Sequence, residues 1–298
     1  MNSGLLIIDK PADMSSARVV SIVKKLTGAK KVGHTGTLDP FATGILPCCI
    51  NEATKISRFF LAGNKKYIAR LRLGIQTDTQ DLTGKVVSTS NDFNFSDEDI
   101  IAVFKKFEGS ISQVPPVYSA LKHNGIPLYK YAREGKPIQK PARTIEIHYI
   151  KIININLPEI LFEVYCSSGT YIRSLCADIG EVLGCGGHLS QLRRIESCGL
   201  NINQALPIDN LGKIISEDNI SKYFLSMSDA LTHIPICIAD DVLIEKISHG
   251  KLITENDINF AYPSKSDGFI KIVNVNNELL AVLNKAENKF GYCCVINN

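Results

Sequence analysis

Residues 33–47 read GHTGTLDPFATGILP, a stretch with three glycines, two prolines, one histidine, one aspartate and no lysine. Glycine lets a chain turn tightly and proline stiffens it, so such a loop can hold one carboxylate, that of Asp39, in a fixed place. An aspartate before a proline is also an ordinary turn residue, and the loop by itself leaves both readings open. The glycines do not spell the G-x-x-x-x-G-K-[ST] pattern that cradles phosphates, which disfavours a nucleotide-dependent transferase.

The elements that must position this loop can be read on either side of it. Residues 5–8 are a short apolar run ended by Asp9-Lys10-Pro11, a buried strand leading into a turn. Ser15 or Ser16 can cap a helix carrying Val19, Val20, Ile22, Val23 and Leu26 at helical spacing, with Gly28 as its stop. Residues 30–51 show little periodicity and read as a long ordered loop, or a loop around one short element. Residues 67–73 alternate, with Tyr67, Ala69, Leu71 and Leu73 on one face and Arg70 and Arg72 on the other, as a strand does.

Ser96 and Asp99 form a capping box ahead of a helix over 97–108. A short basic helix is predicted over 127–134, with proline at its first position. Residues 144–166 hold two strand-like runs broken near Leu157-Pro158, and 170–183 is helical up to Gly184. Strands and helices mix without regular alternation. The fold class is therefore α+β, with a central, largely antiparallel mixed sheet flanked by helices. A boundary near residue 235 divides a domain of 1–234 from a small β-rich domain of 235–298, whose strands are expected over 269–275, 279–283 and 292–296. That domain is small enough to lean on the main body.

The chain has 298 residues and a net charge of +3, but residues 1–80 hold twelve Lys/Arg against five Asp/Glu, while 235–298 hold six Lys against eight acids. The basic excess thus lies with the candidate loop, where it is either a solvated face or a footprint for an anionic partner. The acidic balance of the C-terminal part argues against a strong grip on nucleic acid there. The nine cysteines are odd in number and lack C-x-x-C spacing, so neither a disulfide framework nor a zinc site is expected. The apolar run before Asp9 has only four residues, and no run approaches a membrane span. A cytoplasmic protein with reduced cysteines, no metal and no membrane association is the expectation.

Residues 33–47 resemble the catalytic loop of TruB-type pseudouridine synthases. Further stretches resemble that family in the same order. They are Leu6-Ile7-Ile8-Asp9-Lys10-Pro11 with Ser15-Ser16, then Asn51-Glu52-Ala53-Thr54-Lys55, then Lys66-Tyr67, then Leu73-Gly74 with Thr77-Asp78-Thr79 and Asp81. After these come Pro115-Pro116-Val117-Tyr118-Ser119-Ala120-Leu121-Lys122 with Gly125 and Tyr129, then residues 166–175, CSSGTYIRSL, and Leu192-Arg193-Arg194. The likeness runs from about residue 4 to about residue 200 and is loose beyond.

The resemblance implies a pseudouridine synthase fold with a PUA-like C-terminal β domain. It also implies isomerisation of the uridine at position 55, in the T-arm loop of tRNA, after that base is flipped out. Breaking N1–C1′ and joining C5 to C1′ changes no redox state and adds no group, so no cofactor is expected. By resemblance Asp39 is the carboxylate that adds to C1′ or removes the C2′ proton, and Arg173 is its cationic partner. Tyr67 stacks on the uracil and helps take the C5 proton, with Tyr171 beside it. His34 fills or supports the gap left by the flipped base, Leu192 walls the uracil pocket, and Lys10 contacts substrate or positions the loop.

Phosphate contacts are expected from Lys24, Lys25, Lys30, Lys31, Lys65, Lys66, Arg70 and Arg72. Lys130, Arg133, Lys136, Lys140 and Arg143 make a second basic segment over 126–143, a candidate RNA-gripping thumb. A monomer is expected. Two rival readings remain at this stage: a noncatalytic RNA-binding protein or chaperone with the same basic face, and the guide-dependent relative that works within a multi-protein particle. The compact length and absence of charged tails favour the stand-alone type over the latter.

Overall fold

The structure, a computed structural model, describes residues 3–258, 268–286 and 289–296. Strand β1 (Gly4–Lys10) is buried along almost its whole length. Ser15 caps helix α1 (Ser16–Thr27) by accepting from the Arg18 amide at 3.2 Å, and Gly28 ends it in a left-handed conformation at φ 65°. Strands β2 (Val32–His34) and β3 (Thr43–Ile50) bracket the Asp39 loop. A short helix α2 (Ser57–Leu61) leads into β4 (Lys65–Leu73), where buried and half-buried positions alternate without a break. The hairpin of β5 (Ile75–Thr77) and β6 (Val86–Thr89) precedes α3 (Asp97–Lys105).

Next come β7 (Gly109–Gln113), the small pair β8 (Lys122–His123) and β9 (Ile126–Pro127), and α4 (Leu128–Arg133). The long hairpin β10 (Arg143–Asn156) and β11 (Glu159–Cys166) turns at 157–158. Helix α5 (Ile172–Val182) and strand β12 (Gly187–Ser197) complete the frame of the site. The strands β13 (Leu200–Asn201), β14 (Leu206–Pro207) and β15 (Phe224–Leu225), with α6 (Leu211–Ser216) between the last two and α7 (Met227–Ala230) after them, close the main body.

The main sheet runs β14-β1-β3-β12-β4-β11-β10-β7, with β2, β13 and β15 paired beside it. Only the β1–β14 and β3–β12 pairings are parallel, so the sheet is mixed and largely antiparallel, as the sequence implied. One core lies between this sheet and α3 and α5, where Phe104 meets Phe162 edge-on at 5.3 Å. A second joins α1 and α6 to β1 and β3.

Residues 30–51 are not the loop that their composition suggested. Seven of the eight residues of β3 are buried, and the strand pairs with β1 from Gly44 to Ile50. Gly44 and Pro47 disguise it, and the sheet tolerates both for local reasons. The Pro47 carbonyl accepts from the Thr35 amide at 3.1 Å, so its nitrogen faces that same edge. There β12 reaches only Thr43 and Gly44 and β2 only Cys48–Ile50, so the missing N–H leaves no strand acceptor unpaired. The helix expected over 97–108 ends at Lys105, and 106–108 continue as turns bonded three residues back. Pro127 sits just before α4 and not as its first residue.

After residue 235 the strands β16 (Ile236–Ile238), β17 (Gly268–Val273), β18 (Leu279–Ala286) and β19 (Lys289–Val295) form a separate sheet in that order, with α8 (Asp241–Ser248) packed on it. This small β domain shares a core with the main body: Val273, Leu279, Val282 and Ile296 pack with Leu5, Ile56, Phe60 and Met227. Phe59 meets Phe269 edge-on at 5.0 Å, and Lys55 Nζ donates to the Val295 carbonyl at 2.9 Å.

Candidate active site

The loop between β2 and β3 is pinned at nearly every residue. Thr35 is bonded to Pro47 as above, and the Gly36 amide donates to His34 Nδ1 at 3.3 Å. Ser16, free because Ser15 does the capping, accepts from the Leu38 amide at 2.9 Å and donates to the Leu38 carbonyl at 3.0 Å. Leu38 and Ala42 are buried in the core on either side of Asp39, and the Ala42 amide closes a turn onto the Asp39 carbonyl at 3.1 Å. Asp39 is thereby presented on a clamped turn that needs no rearrangement to place its carboxylate.

Lys10 does not face the cavities. Its side chain has no exposed surface, and its ammonium donates to the carbonyls of Pro11 (2.8 Å), Met14 (2.6 Å) and Pro40 (2.9 Å). All three donors of an ammonium are engaged. The structure therefore gives Lys10 the task of tying the end of β1 to the residue after Asp39, and leaves it no donor for substrate. Burial lowers its pKa to about 8, with Asp39 and Asp13 holding against that shift.

Arg173 lies on the first turn of α5 and is 4 % exposed. Its Nε is 2.9 Å from Asp39 Oδ2, while Nη1 and Nη2 donate to the carbonyls of Thr79 (3.0 Å) and Tyr118 (2.7 Å). Asp81, to which the sequence assigned no role, stands 3.6 Å from the same guanidinium. Asp81 Oδ1 is held in turn by the Thr79 and Thr83 hydroxyls and the Thr83 amide at 2.6–2.9 Å. The dense Asp and Thr of residues 77–83 were the available signal for such a self-bonded turn. Burial raises the Asp39 carboxyl pKa; Arg173 opposes this and Asp81 adds to it. The Asp39 side chain still keeps 36 % of its surface open to the cavities.

Two cavities meet at this ion pair, sharing Thr37, Leu38, Asp39, Ser119, Ala120 and Arg173. The smaller, of about 390 Å³, is walled by Tyr67, Tyr171, Leu192, Arg143 and Arg194. The larger, of about 770 Å³, includes His34, Phe41, Tyr118, Tyr129 and Arg133. Both volumes suit small organic groups. The structure thus brings Tyr67, Tyr171, Leu192 and Arg173 together with Asp39 in one pocket and places His34 in the adjoining one. Gln113 fixes Tyr171 by accepting from its amide (2.8 Å) and donating to its carbonyl (3.0 Å). The Arg143 guanidinium lies over the Tyr171 ring at 5.1 Å. Burial, with the nearby Arg194 charge, lowers the His34 pKa, so this imidazole is neutral at pH 7. The Ser119 hydroxyl is buried without a partner at the junction of the two cavities.

Several basic residues take other places than expected. Lys65 is on the buried face of β4 and donates to the Leu61 carbonyl at 2.8 Å and to that of Gly63, at the end of α2. Lys66 pairs with Glu196 at 3.2 Å, and Arg70 and Arg72 share Glu159 at 2.8 and 3.5 Å, on the sheet face away from Tyr67. Strand alternation accounts for that split. Arg143, the last residue of the thumb segment, begins β10 and also lines the pocket. Lys24, Lys25, Lys30 and Lys31 are exposed, as are Lys130, Arg133 and Lys136. Among the described residues no cluster of metal-ligating side chains occurs, and no helix is long and apolar enough to cross a membrane.

The α+β fold thus presents a clamped Asp39–Arg173 pair to a pocket walled by Tyr67, Tyr171 and Leu192. The chain belongs to the TruB family of pseudouridylate synthases: residues 24–172 match the family's N-terminal domain, and residues 173–232 match the C-terminal domain of tRNA pseudouridylate synthase B. It is 40 % identical over 288 residues to tRNA pseudouridine synthase B of Haemophilus influenzae, covering 95 % of this chain and 90 % of that one. With the protein of the same name from Geotalea uraniireducens it shares 44 % over 247 residues, covering 83 % and 80 %. Among solved structures, a Cbf5-Nop10-Gar1 complex contains a chain that superposes with a TM-score of 0.77 at 29 % identity, covering 99 % of this chain and 84 % of that one. An H/ACA RNP bound to a substrate RNA containing 2′-deoxyuridine gives 0.74 at 27 %, covering 97 % and 82 %.

Proposed function

We propose that this enzyme isomerises a uridine of tRNA to pseudouridine, at position 55 in the T-arm loop, by everting the nucleotide into the smaller cavity. The observation that carries this reading is the Asp39–Arg173 pair, 2.9 Å apart, opening onto a pocket walled by Tyr67, Tyr171 and Leu192. The shared name of the curated relatives supports tRNA as the substrate. Eversion costs a few kcal/mol of stacking and pairing, which contacts in the pocket offset.

Once the base is seated, Asp39 faces the sugar. As N1–C1′ breaks, its electron pair leaves with the uracil and C1′ becomes electron-poor, a centre that a carboxylate stabilises, attacks, or serves by removing the C2′ proton. Arg173 favours the ionised form of the carboxylate and aims it. The uracil turns against the Tyr67 ring, C5 joins C1′, and the C5 proton is exchanged for one on N1. Atoms and electrons balance within the substrate, so the chemistry calls for no cofactor and no metal. Residues 126–143 act as a thumb on the RNA arm, and 235–298 as a separate domain that leans on the catalytic one. The enzyme works as a cytoplasmic monomer.

The test is incubation of wild type and Asp39→Asn with an unmodified tRNA transcript, followed by mapping of pseudouridine by chemical labelling. Wild type is expected to modify the T-arm uridine, and the variant to bind the RNA but lose conversion by at least ~10³-fold. Equal conversion by both, or RNA binding without conversion by either, would replace this reading with a noncatalytic RNA-binding role.

A further inference from the structure

Arg194 is among the largest fully buried side chains of the protein, at 1 % exposure, and among the described residues it has no carboxylate partner. Its neighbour Arg193 shows the usual alternative, a two-pronged pair with Asp9 at 3.1 and 2.7 Å on the other side of the strand. Arg194 Nε instead donates to the Ile45 carbonyl at 2.9 Å and Nη2 to the Gly36 carbonyl at 3.0 Å. Tyr67 stands directly opposite Arg194 in the antiparallel β4–β12 pairing, so the two side chains share one face of the sheet. Both side chains line the smaller cavity. An unpaired buried cation is unfavourable by several kcal/mol, and an apolar residue would fill the space at less cost.

A guanidinium has donors only, so toward Arg194 the Tyr67 oxygen can serve only as acceptor. Its own hydrogen is then free for another partner, and the pocket is where the ring stands. We infer that Arg194 is the positioning residue that makes Tyr67 a two-way proton carrier for the final step of the isomerisation, an inference that rests on the function proposed above. After C5 has joined C1′, C5 carries a hydrogen and the ring holds a C6=N1 double bond. The Tyr67 hydroxyl gives its proton to N1, leaving a tyrosinate against Arg194. The tyrosinate then takes the C5 proton. The C5–H pair closes C5=C6, and the C6=N1 pair returns to N1. One proton enters Tyr67 and one leaves, and nothing else is consumed. The anion that Arg194 lacks at rest is the one formed between these transfers. Burial raises the Tyr67 pKa, and the Arg194 charge opposes that rise.

A merely structural Arg194 would hold the Gly36 and Ile45 carbonyls and act on the whole loop. The two roles separate in a double-variant cycle read by single-turnover rates, with tRNA transcripts carrying hydrogen or deuterium at uridine C5. Arg194→Met and Tyr67→Phe are each expected to slow conversion about 10²- to 10⁴-fold, the range of proton-transfer catalysis. The double variant is expected to be no slower than Tyr67→Phe. Arg194→Met should also show a larger primary deuterium effect than wild type, and that effect decides the matter where Tyr67→Phe is too slow to time. Multiplying penalties, or an isotope effect no larger than wild type's, would overturn the inference. If Arg194→Met does not fold, Arg194→Lys, which keeps the charge but not the fork, goes through the same cycle with the same criteria. A wild type that converts no uridine sinks the proposed function as well, whereas an active wild type with multiplying penalties sinks only the part given to Arg194.

Discussion

Arg173 Nε lies 2.9 Å from Asp39 Oδ2, and the same guanidinium also serves Asp81 at 3.6 Å. One cation thus stands between two carboxylates of unequal setting. Asp81 is buried and wrapped in hydroxyl and amide donors, whereas Asp39 faces the cavities. The Thr79 and Tyr118 carbonyls fix the guanidinium from its far side. The ion pair is consequently a rigid fixture, and the ionisation of Asp39 depends on its neighbours.

That dependence gives a pH prediction. Burial and the Asp81 charge raise the Asp39 pKa, so its active, ionised form is lost on acidification at a higher pH than the ~4 of an ordinary aspartate. Conversion should therefore fall as pH drops through that raised value. Asp81→Asn removes a like charge and leaves Arg173 wholly to Asp39, and both changes lower the Asp39 pKa. The acid limb of the single-turnover rate should move to lower pH in this variant. An acid limb that stays put or moves upward would show that Asp81 does not set the ionisation of Asp39.

Lys10 supplies a test of positioning against substrate contact. Lys10→Met leaves the Pro11, Met14 and Pro40 carbonyls without their donor in a buried site. The expected loss is about 2–4 kcal/mol in urea unfolding. The single-turnover rate should fall with Asp39 misplaced, while tRNA affinity stays within about twofold, since no Lys10 donor faces the RNA. A large drop in affinity at unchanged stability would return Lys10 to the substrate.

What the sequence disclosed and what it withheld divide along physical lines. Alternation in 67–73 and capping at Ser96 and Gly28 are local signals, and they predicted β4, α3 and the end of α1 to within a few residues. The strand 43–50 was hidden because its glycine and proline are tolerated only by the partners at each edge, which are nonlocal. The same holds for the paired arginines of β12. Irregularities in the β12–β4 register at 189–191 and 194–196 help decide which face each presents, and no spacing rule reveals that Arg193 meets Asp9 while Arg194 stands opposite Tyr67. Lys65 looked like a phosphate contact because its charge is visible in sequence, whereas the α2 carbonyls it meets are visible only in the fold.

Gly44 makes the edge dependence measurable. Its φ is +104°, and a methyl group there would stand 2.2 Å from the Arg194 carbonyl oxygen and 2.8 Å from the Arg194 nitrogen. Both atoms are backbone and cannot step aside without opening the parallel β3–β12 pairing at Gly44 and Arg194. Gly44→Ala should destabilise by about 3 kcal/mol or more, strain and overpacking acting together. Because the clash lies beside Arg194, conversion should fall even at temperatures where the variant remains folded. Unfolding curves that overlay wild type would mean that the two strands are not held this closely.

The segment proposed as a thumb completes the set, because several of its charges stand exposed on the surface. Lys130 and Arg133 are exposed on α4, and Arg133 lies over the Tyr129 ring at 5.4 Å, beside the larger cavity. Neither forms an ion pair among the described residues that reversal would break, so the fold should tolerate the change. Each cation that neutralises a phosphate contributes about 0.7–0.9 to the slope of log affinity against log salt. Lys130→Glu with Arg133→Glu should therefore raise the KM for tRNA about tenfold or more near 0.1 M salt and flatten that slope by about 1.5. The rate with RNA fully bound should change much less, since Asp39 and Arg173 are untouched. Titrations at several salt concentrations that match wild type would remove residues 126–143 from the RNA interface.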